Sequence, residues 1–381
     1  MGKNKKYKIG IVCYPTYGGS GVVATELGIS LADKGHEVHF ISYSQPFRLD
    51  FFSGNIYFHE VIIPDYPLFD YTPYELNLTS KLVDVVLHEK LDILHVHYAI
   101  PHASAAIQAK HILETYGINI PIVTTLHGTD ITLLGKDKSF KPVIEYAINK
   151  SDAVTAVSND LRKETLSHFR INREIEMIPN FIDSNLYSHE VDEKLRSKIA
   201  KKEEKIVVHI SNFRKVKRVE DVIKIFTKVQ EKVPAKLLMI GDGPERVKVE
   251  RMCRKLKICN KVKFMGKLKS VEELLSVSDL FLLPSETESF GLVALEAMAS
   301  KVAVISTNSG GLPEVNVEGV TGYLSEVGNI KQMSKNAIQL LLDNDKLEKF
   351  KENAFVHSQK FDLPNILPLY ECLYEKLLST K

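Results

Sequence analysis

Glu288 and Glu296 stand eight positions apart and bracket the stretch Ser289-Phe290-Gly291-Leu292. Paired carboxylates serve either proton transfer at a glycosidic bond or hydrogen bonding to sugar hydroxyls. If one continuous helix carried both, eight residues would separate them by about 12 Å. Hydrolytic pairs stand roughly 5–9.5 Å apart, so the spacing favours hydroxyl binding, on a sugar or a ribose, over bond cleavage. A helix is expected to open at Phe290 or Gly291, with free amide groups suited to phosphate oxygens. The plainer alternative is a solvated Glu296 and a Glu288 that complements the helix dipole.

Other constellations point toward anion binding. Arg214, Lys215, Lys217 and Arg218 crowd the segment after Asn212. Such a cluster clamps a polyanion such as a diphosphate, unless it is only a solvated face. Gly241-Asp242-Gly243-Pro244 has the make-up of a backbone cradle before a helix. Gly18-Gly19-Ser20-Gly21 precedes a helical pattern expected to begin at Val22. Gly19, Gly21 and Ala24 even fit a GxGxxA dinucleotide fingerprint. Tyr14–Tyr17 intervene after the strand, however, and Ser42–Gln45 offer no acid for a ribose. Anion or substrate binding, or simply a tight turn, therefore ranks above NAD, and an NAD-dependent dehydrogenase is the rival from another class. His127 and Tyr98 each follow an apolar run and are candidates for hydrogen bonding to substrate. His95 and His111 are expected to be packing residues. His59-Glu60, His88-Glu89 and His189-Glu190 each lack the second histidine of HExxH, the other histidines have no ligand spacing, and no metal site is expected. Asp343-Asn344-Asp345 fits a turn or cap better than a metal motif.

These residues need a scaffold that delivers them from strand ends. Apolar runs at Ile9–Cys13, Val38–Ser42, Ile56–Ile63, Ile93–His97, Ile122–Leu126 and Ala153–Val157 alternate with helix-length patterns such as Leu76–Glu89 and Ala103–Tyr116. That alternation is the mark of βαβ units in an α/β parallel sheet. The pattern restarts at Ile206–Ile210 and runs on through Lys236–Ile240, Lys261–Met265, Leu280–Leu283 and Val302–Ile305. A boundary is expected near Asn180, dividing the chain into 1–179 and 180–362, with a final helix over 363–381. A chain of 381 residues with 44% hydrophobic and 26% charged residues suits two such domains. The formal charge of +2 argues against a nucleic-acid partner. No apolar run reaches the roughly 18 residues of a membrane span, and the start, with Lys3, Lys5, Lys6 and Lys8, reads as a solvated terminus before a strand rather than a signal peptide. Cys13, Cys253, Cys259 and Cys372 form no CxxC pair, which suits a reducing cytoplasm.

Taken together, the motifs resemble the retaining GT-B glycosyltransferases of glycosyltransferase family 4. Glu288–Glu296 reproduces the family's E-x7-E element, and Gly310-Gly311-Leu312-Pro313-Glu314 its Gly-Gly-x-Pro-Glu element. Cys13–Gly21, His97–His102, Thr125–Asp130 and Ser211–Arg218 are similar to members that glycosylate L-malate. Ser211-Asn212 replaces the Gly-Arg of many relatives, leaving Arg214 or Arg218 as substitute diphosphate ligands. The resemblance implies two Rossmann-like doubly wound domains facing a cleft, with the last helix crossing back to the first. It implies UDP-N-acetylglucosamine on the second domain, L-malate on the first, and no cofactor or metal. Lys217, with the amides of Phe290, Gly291 and Leu292, would hold the diphosphate; Glu296 would bind the ribose and Glu288 the donor sugar, with Gly19, Asn212, Arg214, Arg218 and Gly241 also on the donor side. Ser20, Gly21, Tyr98 and His127 would line the acceptor. Lys217, Glu288 and His127 would be the catalytic groups. Another acceptor, such as a sugar, an inositol phosphate or a lipid, is the near alternative. A homodimer is left open.

Overall fold

The computed structural model describes residues 5–16, 18–49, 54–63, 73–133, 135, 137–187 and 191–379. Lys3, Tyr17 and His189-Glu190 lie outside the described residues. Two compact units are present, Met1–Asn180 with Pro364–Lys381, and Phe181–Leu363.

The first unit contains β1 (Lys8–Val12), α1 (Gly19–Asp33), β2 (Glu37–Ser42), β3 (Ile56–Glu60), α2 (Tyr74–Glu89), β4 (Ile93–His97), α3 (Ser104–Glu114), β5 (Ile122–Leu126), α4 (Lys141–Lys150), β6 (Ala153–Ala156), α5 (Asn159–His168) and β7 (Ile175–Met177). The second contains α6 (Glu193–Ile199), β8 (Lys205–Ile210), α7 (Val219–Gln230), β9 (Ala235–Ile240), α8 (Arg246–Lys255), β10 (Val262–Gly266), α9 (Glu272–Ser276), β11 (Leu280–Leu283), α10 (Leu292–Ala299), β12 (Ala303–Thr307), α11 (Leu312–Val315), β13 (Gly322–Ser325), α12 (Ile330–Leu342) and α13 (Asn344–Ser358). The closing helix, α14 (Leu363–Ser379), belongs to the first unit.

The first sheet runs β3-β2-β1-β4-β5-β6-β7 and the second β10-β9-β8-β11-β12-β13. The strand pairs are parallel, with registers such as Ile11↔Phe40 and Leu282↔Ile305. β4, β5, β11 and β12 are buried along their whole length, as strands covered on both faces must be. In both sheets the order reverses beside the first strand, at β1/β4 and at β8/β11. Loops leaving those neighbouring strands diverge to opposite faces and leave a crevice at their carboxyl ends.

α7 shows how the sequence builds a layer. Val219, Val222, Ile223, Phe226 and Val229 recur at helical spacing and are buried against the second sheet. α14 opens beside Pro364, and its Tyr374 hydroxyl is hydrogen-bonded to His95 Nδ1 of β4 at 2.6 Å. Asp343 caps α13 through the amide of Lys346, which makes Asp343-Asn344-Asp345 a helix start.

Four expectations need correction. α1 opens at Gly19 rather than Val22, so Ser20 and Gly21 form its first turn. β3 ends at Glu60 rather than Ile63. α10 opens at Leu292, and Glu288 therefore precedes the helix; the separation reckoned for a continuous helix does not apply. His111 is exposed on α3, because only one stripe of that helix faces the core.

Candidate functional site

In the second unit the glutamate pair, the basic segment and the glycine loops collect at the carboxyl ends of β8, β9, β11 and β12. Lys215–Lys217 form a single 3-10 turn, and Arg218 in the left-handed region caps α7. This turn aims Lys217 at the loop after β11, where its Nζ meets Glu288 Oε1 at 2.6 Å. Ser285 Oγ donates to the same oxygen at 2.7 Å. Both charged side chains are mostly enclosed, with 19% and 12% of their surfaces exposed. A carboxylate and an ammonium so placed are held by each other and by the fold, not by bulk water.

The backbone around Glu288 is fixed by the Gly310-Gly311 turn after β12. The amide of Gly311 donates to Glu288 O at 2.7 Å. A Cβ on Gly310, whose φ is +65°, would lie 2.1 Å from that same oxygen. Thr307 Oγ1 donates to Ser285 O, Ser309 Oγ to Glu286 O, and the Glu286 amide to Val216 O. Together these bonds stitch three loops around one carboxylate. Gly291, at φ +98°, then turns the chain into α10, whose first amides lack partners within the helix. Glu296 lies half-buried on the second turn of α10. Phe290 is buried and packs edge-on against Phe361 at 5.6 Å, so only its backbone is available to a ligand.

The two arginines differ. Arg218 is committed to buried Asp221, its Nε donating to Oδ2 at 2.7 Å. Arg214 is exposed and forms no ion pair among the described residues, and Asn212 is exposed beside it. Gly241 packs so close that a Cβ would fall 1.8 Å from Ser211 O, which presses the loops after β8 and β9 together. Buried His209 on β8 accepts from Ser211 Oγ and donates to Leu282 O, each at 2.8 Å, and burial lowers its pKa to about 4.

In the first unit Ser20, Tyr98 and His127 converge from the loops after β1, β4 and β5. Tyr98 OH donates to Ser20 Oγ at 2.6 Å, and its ring centroid lies 5.2 Å from that of His127. Gly21 admits this approach, since a Cβ there would stand 2.6 Å from the carbonyl oxygens of Tyr14 and Thr16. Gly19 occupies the first turn of α1 without a side chain to obstruct it. His97 Nδ1 and His127 Nε2 are 2.8 Å apart, stacked behind the tyrosine. Burial pushes His127 and His95 down to about 3 and His102 to about 4, so all three are neutral near pH 7. His127 thus offers a neutral imidazole rather than a cation. Asp130 is buried and raised to about 6 by desolvation, against the opposing pull of the Ala99 amide at 2.6 Å.

Ser285 did not stand out in the sequence, and its place after an apolar strand was its only signal. His97 and Asp130 fell inside the motifs His97–His102 and Thr125–Asp130 but without a role of their own.

Residues 17–186 match the family model described as Glycosyltransferase Family 4, and residues 191–357 that described as Glycosyl transferases group 1. The chain is 50% identical over 376 residues to the N-acetyl-alpha-D-glucosaminyl L-malate synthase of Bacillus anthracis, covering 98% of each chain. The chain is a family-4 glycosyltransferase. This glycosyltransferase is also 25% identical to the 2-deoxystreptamine N-acetyl-D-glucosaminyltransferase of Niallia circulans, over 76% of this chain and 75% of that one. Its fold is that of a Rickettsia africae glycosyltransferase (TM-score 0.82, 22% identity, 99% and 100% of the two chains). Anabaena HepE, crystallised with UDP and glucose, shares it too (TM-score 0.80, 21% identity, 96% and 99%). Family membership sets aside the dehydrogenase reading. No helix among the described residues is long and apolar enough to cross a membrane.

Proposed function

We propose that this glycosyltransferase moves N-acetylglucosamine from UDP-N-acetylglucosamine to the hydroxyl of L-malate, with retention at the anomeric carbon and without a catalytic metal. Its full-length similarity to the Bacillus anthracis enzyme named for that product is the observation that carries the reading. The loops of the second unit bind the donor. Lys217 and the first amides of α10 take the diphosphate, Glu288 the sugar hydroxyls and Glu296 the ribose. Arg214, being uncommitted, is the arginine that reaches phosphate. In the first unit Ser20 and the amides opening α1 receive a malate carboxylate, with Tyr98 and His127 on the hydroxyl side.

In the reaction the anomeric C–O bond to the β-phosphate breaks as the malate oxygen bonds to the same face of the sugar. The malate proton passes to the departing β-phosphate oxygen, and UDP leaves. The barrier is set by charge growing on that phosphate, and a fixed ammonium with oriented amides stabilises it without reorganising. His127, neutral and a weak base, positions the acceptor instead of taking its proton.

Steady-state turnover with UDP-N-acetylglucosamine and L-malate tests this. UDP should be released only when both are present, the product should carry the α linkage by NMR, and initial rates should withstand a chelator. Absence of malate-dependent UDP release, with turnover on a sugar, inositol phosphate or lipid acceptor, would overturn the acceptor assignment.

A further inference from the structure

A second cluster of chemistry-bearing residues lies in the first unit, on elements that take no part in the site above. His39 of β2 and His59 of β3 project from the same face of the sheet, because the register pairs His39 with Tyr57 and Ile41 with His59. Phe40 faces the other way, toward Gly28 of α1. His39 Nδ1 and His59 Nε2 come to 2.9 Å, and Glu89, the last residue of α2, completes the group: one donor atom from each residue lies within 4.8 Å of the others. We propose that His39, His59 and Glu89 form a binding site for a zinc-like divalent transition-metal ion that fastens the end of α2 to the outer strands of the sheet.

The surroundings of His39 are those of a metal ligand. Its Nε2 donates to Glu37 Oε1 at 3.0 Å, and Glu37 is held in turn by Lys8 Nζ at 2.6 Å. A carboxylate on the far nitrogen fixes the tautomer and leaves the Nδ1 lone pair facing His59 and Glu89, the arrangement that orients metal-bound histidines. Tyr57 stacks on the His39 ring at 4.8 Å and holds its plane. A metal binds the neutral imidazole, through the lone pair on its unprotonated ring nitrogen. In the metal-free protein a proton on His59 Nε2 bridges the two rings. On binding, that proton moves to His59 Nδ1, both rings stay neutral, and the ion takes its place. Two nitrogens each about 2.0–2.1 Å from a tetrahedral zinc stand ~3.3 Å apart, so the rings need to part by only about 0.4 Å. Two imidazoles and a carboxylate favour zinc, cobalt or nickel over magnesium or calcium. His39 is buried, while His59 and Glu89 are half-exposed, which gives the ion an entrance and leaves a coordination position for water.

The site is separate from the elements proposed for transfer chemistry. α2 ends just before β4 begins and Glu37 opens β2, so Glu89 and the Glu37–His39 pair lie toward the amino ends of β2 and β4, while His59 reaches them from the second-to-last position of the edge strand β3; Ser20 and Tyr98 follow the carboxyl ends of β1 and β4. The spacing of these residues in the chain, 39, 59 and 89, gives no motif; parallel pairing alone assembles them.

Titration of the untagged, chelator-stripped full-length protein with zinc chloride, followed by calorimetry and thermal unfolding, tests the proposal. One equivalent should bind and raise the melting temperature. Cobalt in its place should give the visible absorption of a tetrahedral N/O site. His59→Ala and Glu89→Gln, at half-exposed positions that keep the fold, should each weaken binding at least tenfold, whereas His88→Ala, one residue away and exposed, should not. No saturable binding up to 100-fold excess zinc, or binding unchanged in both His59→Ala and Glu89→Gln, would overturn it.

Discussion

At the scale of single residues, the Lys217–Glu288 pair is the feature on which the proposed donor site turns. Both partners are largely enclosed and share an oxygen with Ser285. Removing the ammonium strips positive charge from where the leaving diphosphate is proposed to form. Lys217→Ala should lower kcat by roughly 10²–10³-fold, with a smaller change in KM for the donor, as measured by UDP release. Lys217→Arg should restore only part of the rate, because a planar guanidinium cannot reproduce a single ammonium contact. A kcat within threefold of the parent for Lys217→Ala would remove this residue from the mechanism. Gly310 is as exacting for a different reason. Alanine there has to adopt a left-handed backbone and push aside the Glu288 carbonyl. Gly310→Ala should cost about 1–3 kcal/mol in urea unfolding and should reduce turnover by displacing Glu288.

At the scale of elements, α14 is joined to the first sheet by a buried polar contact as well as by apolar packing. Tyr374 meets His95, which also bonds Thr125, and Tyr370 packs beside them. Tyr374→Phe leaves a buried imidazole nitrogen without its partner while keeping the ring. Destabilisation of about 1–3 kcal/mol is expected, read from chemical denaturation, with no change in the chemistry of transfer. An unchanged denaturation midpoint would mean that the hydroxyl is replaceable by water. The final helical pattern was legible in the sequence from Pro364 onward, but its return to the first unit was expected only from the family resemblance. Nothing in helical periodicity says which sheet an apolar stripe will cover; the structure sets it against His95.

At the scale of the whole molecule, the two units differ in their response to acid. In the first unit burial holds His95, His102 and His127 near 3, 4 and 3 and also lowers His36, His39, His59 and His97, whereas in the second it holds His209 near 4 and lowers His357, among the described residues. A histidine with a lowered folded value binds fewer protons folded than unfolded. Its contribution is therefore intact above about pH 6.5 and is lost as pH falls toward the folded value. Asp130 acts oppositely: raised to about 6, it favours the folded state most below its unfolded value near 4, and that contribution is lost as pH rises through 6. Three histidines outweigh one aspartate between pH 6.5 and 5, each costing on the order of 1–2 kcal/mol by pH 5. The first unit should open before the second on acidification, as read by hydrogen exchange corrected for intrinsic rate. Equal protection of the two units at pH 5 would contradict this.

What the sequence determined by itself was periodicity and punctuation. Alternating apolar runs specify parallel sheets because strands buried on both faces can hardly be anything else, and glycines beside strand ends mark where backbones must approach closely. Those signals, with a cation cluster and a pair of glutamates, made Lys217, Glu288, Ser20, Tyr98 and His127 candidates at strand ends. The tertiary structure alone decided which charges meet. Arg214 and Arg218 are equivalent in a string of letters, but only Arg218 lies against buried Asp221. His39, His59 and Glu89 are fifty residues of chain from first to last and become neighbours only through strand register. Local pattern is written by short-range sterics and burial, whereas ion pairs and ligand sets depend on contacts across loops whose lengths carry no instruction about the angle at which they return.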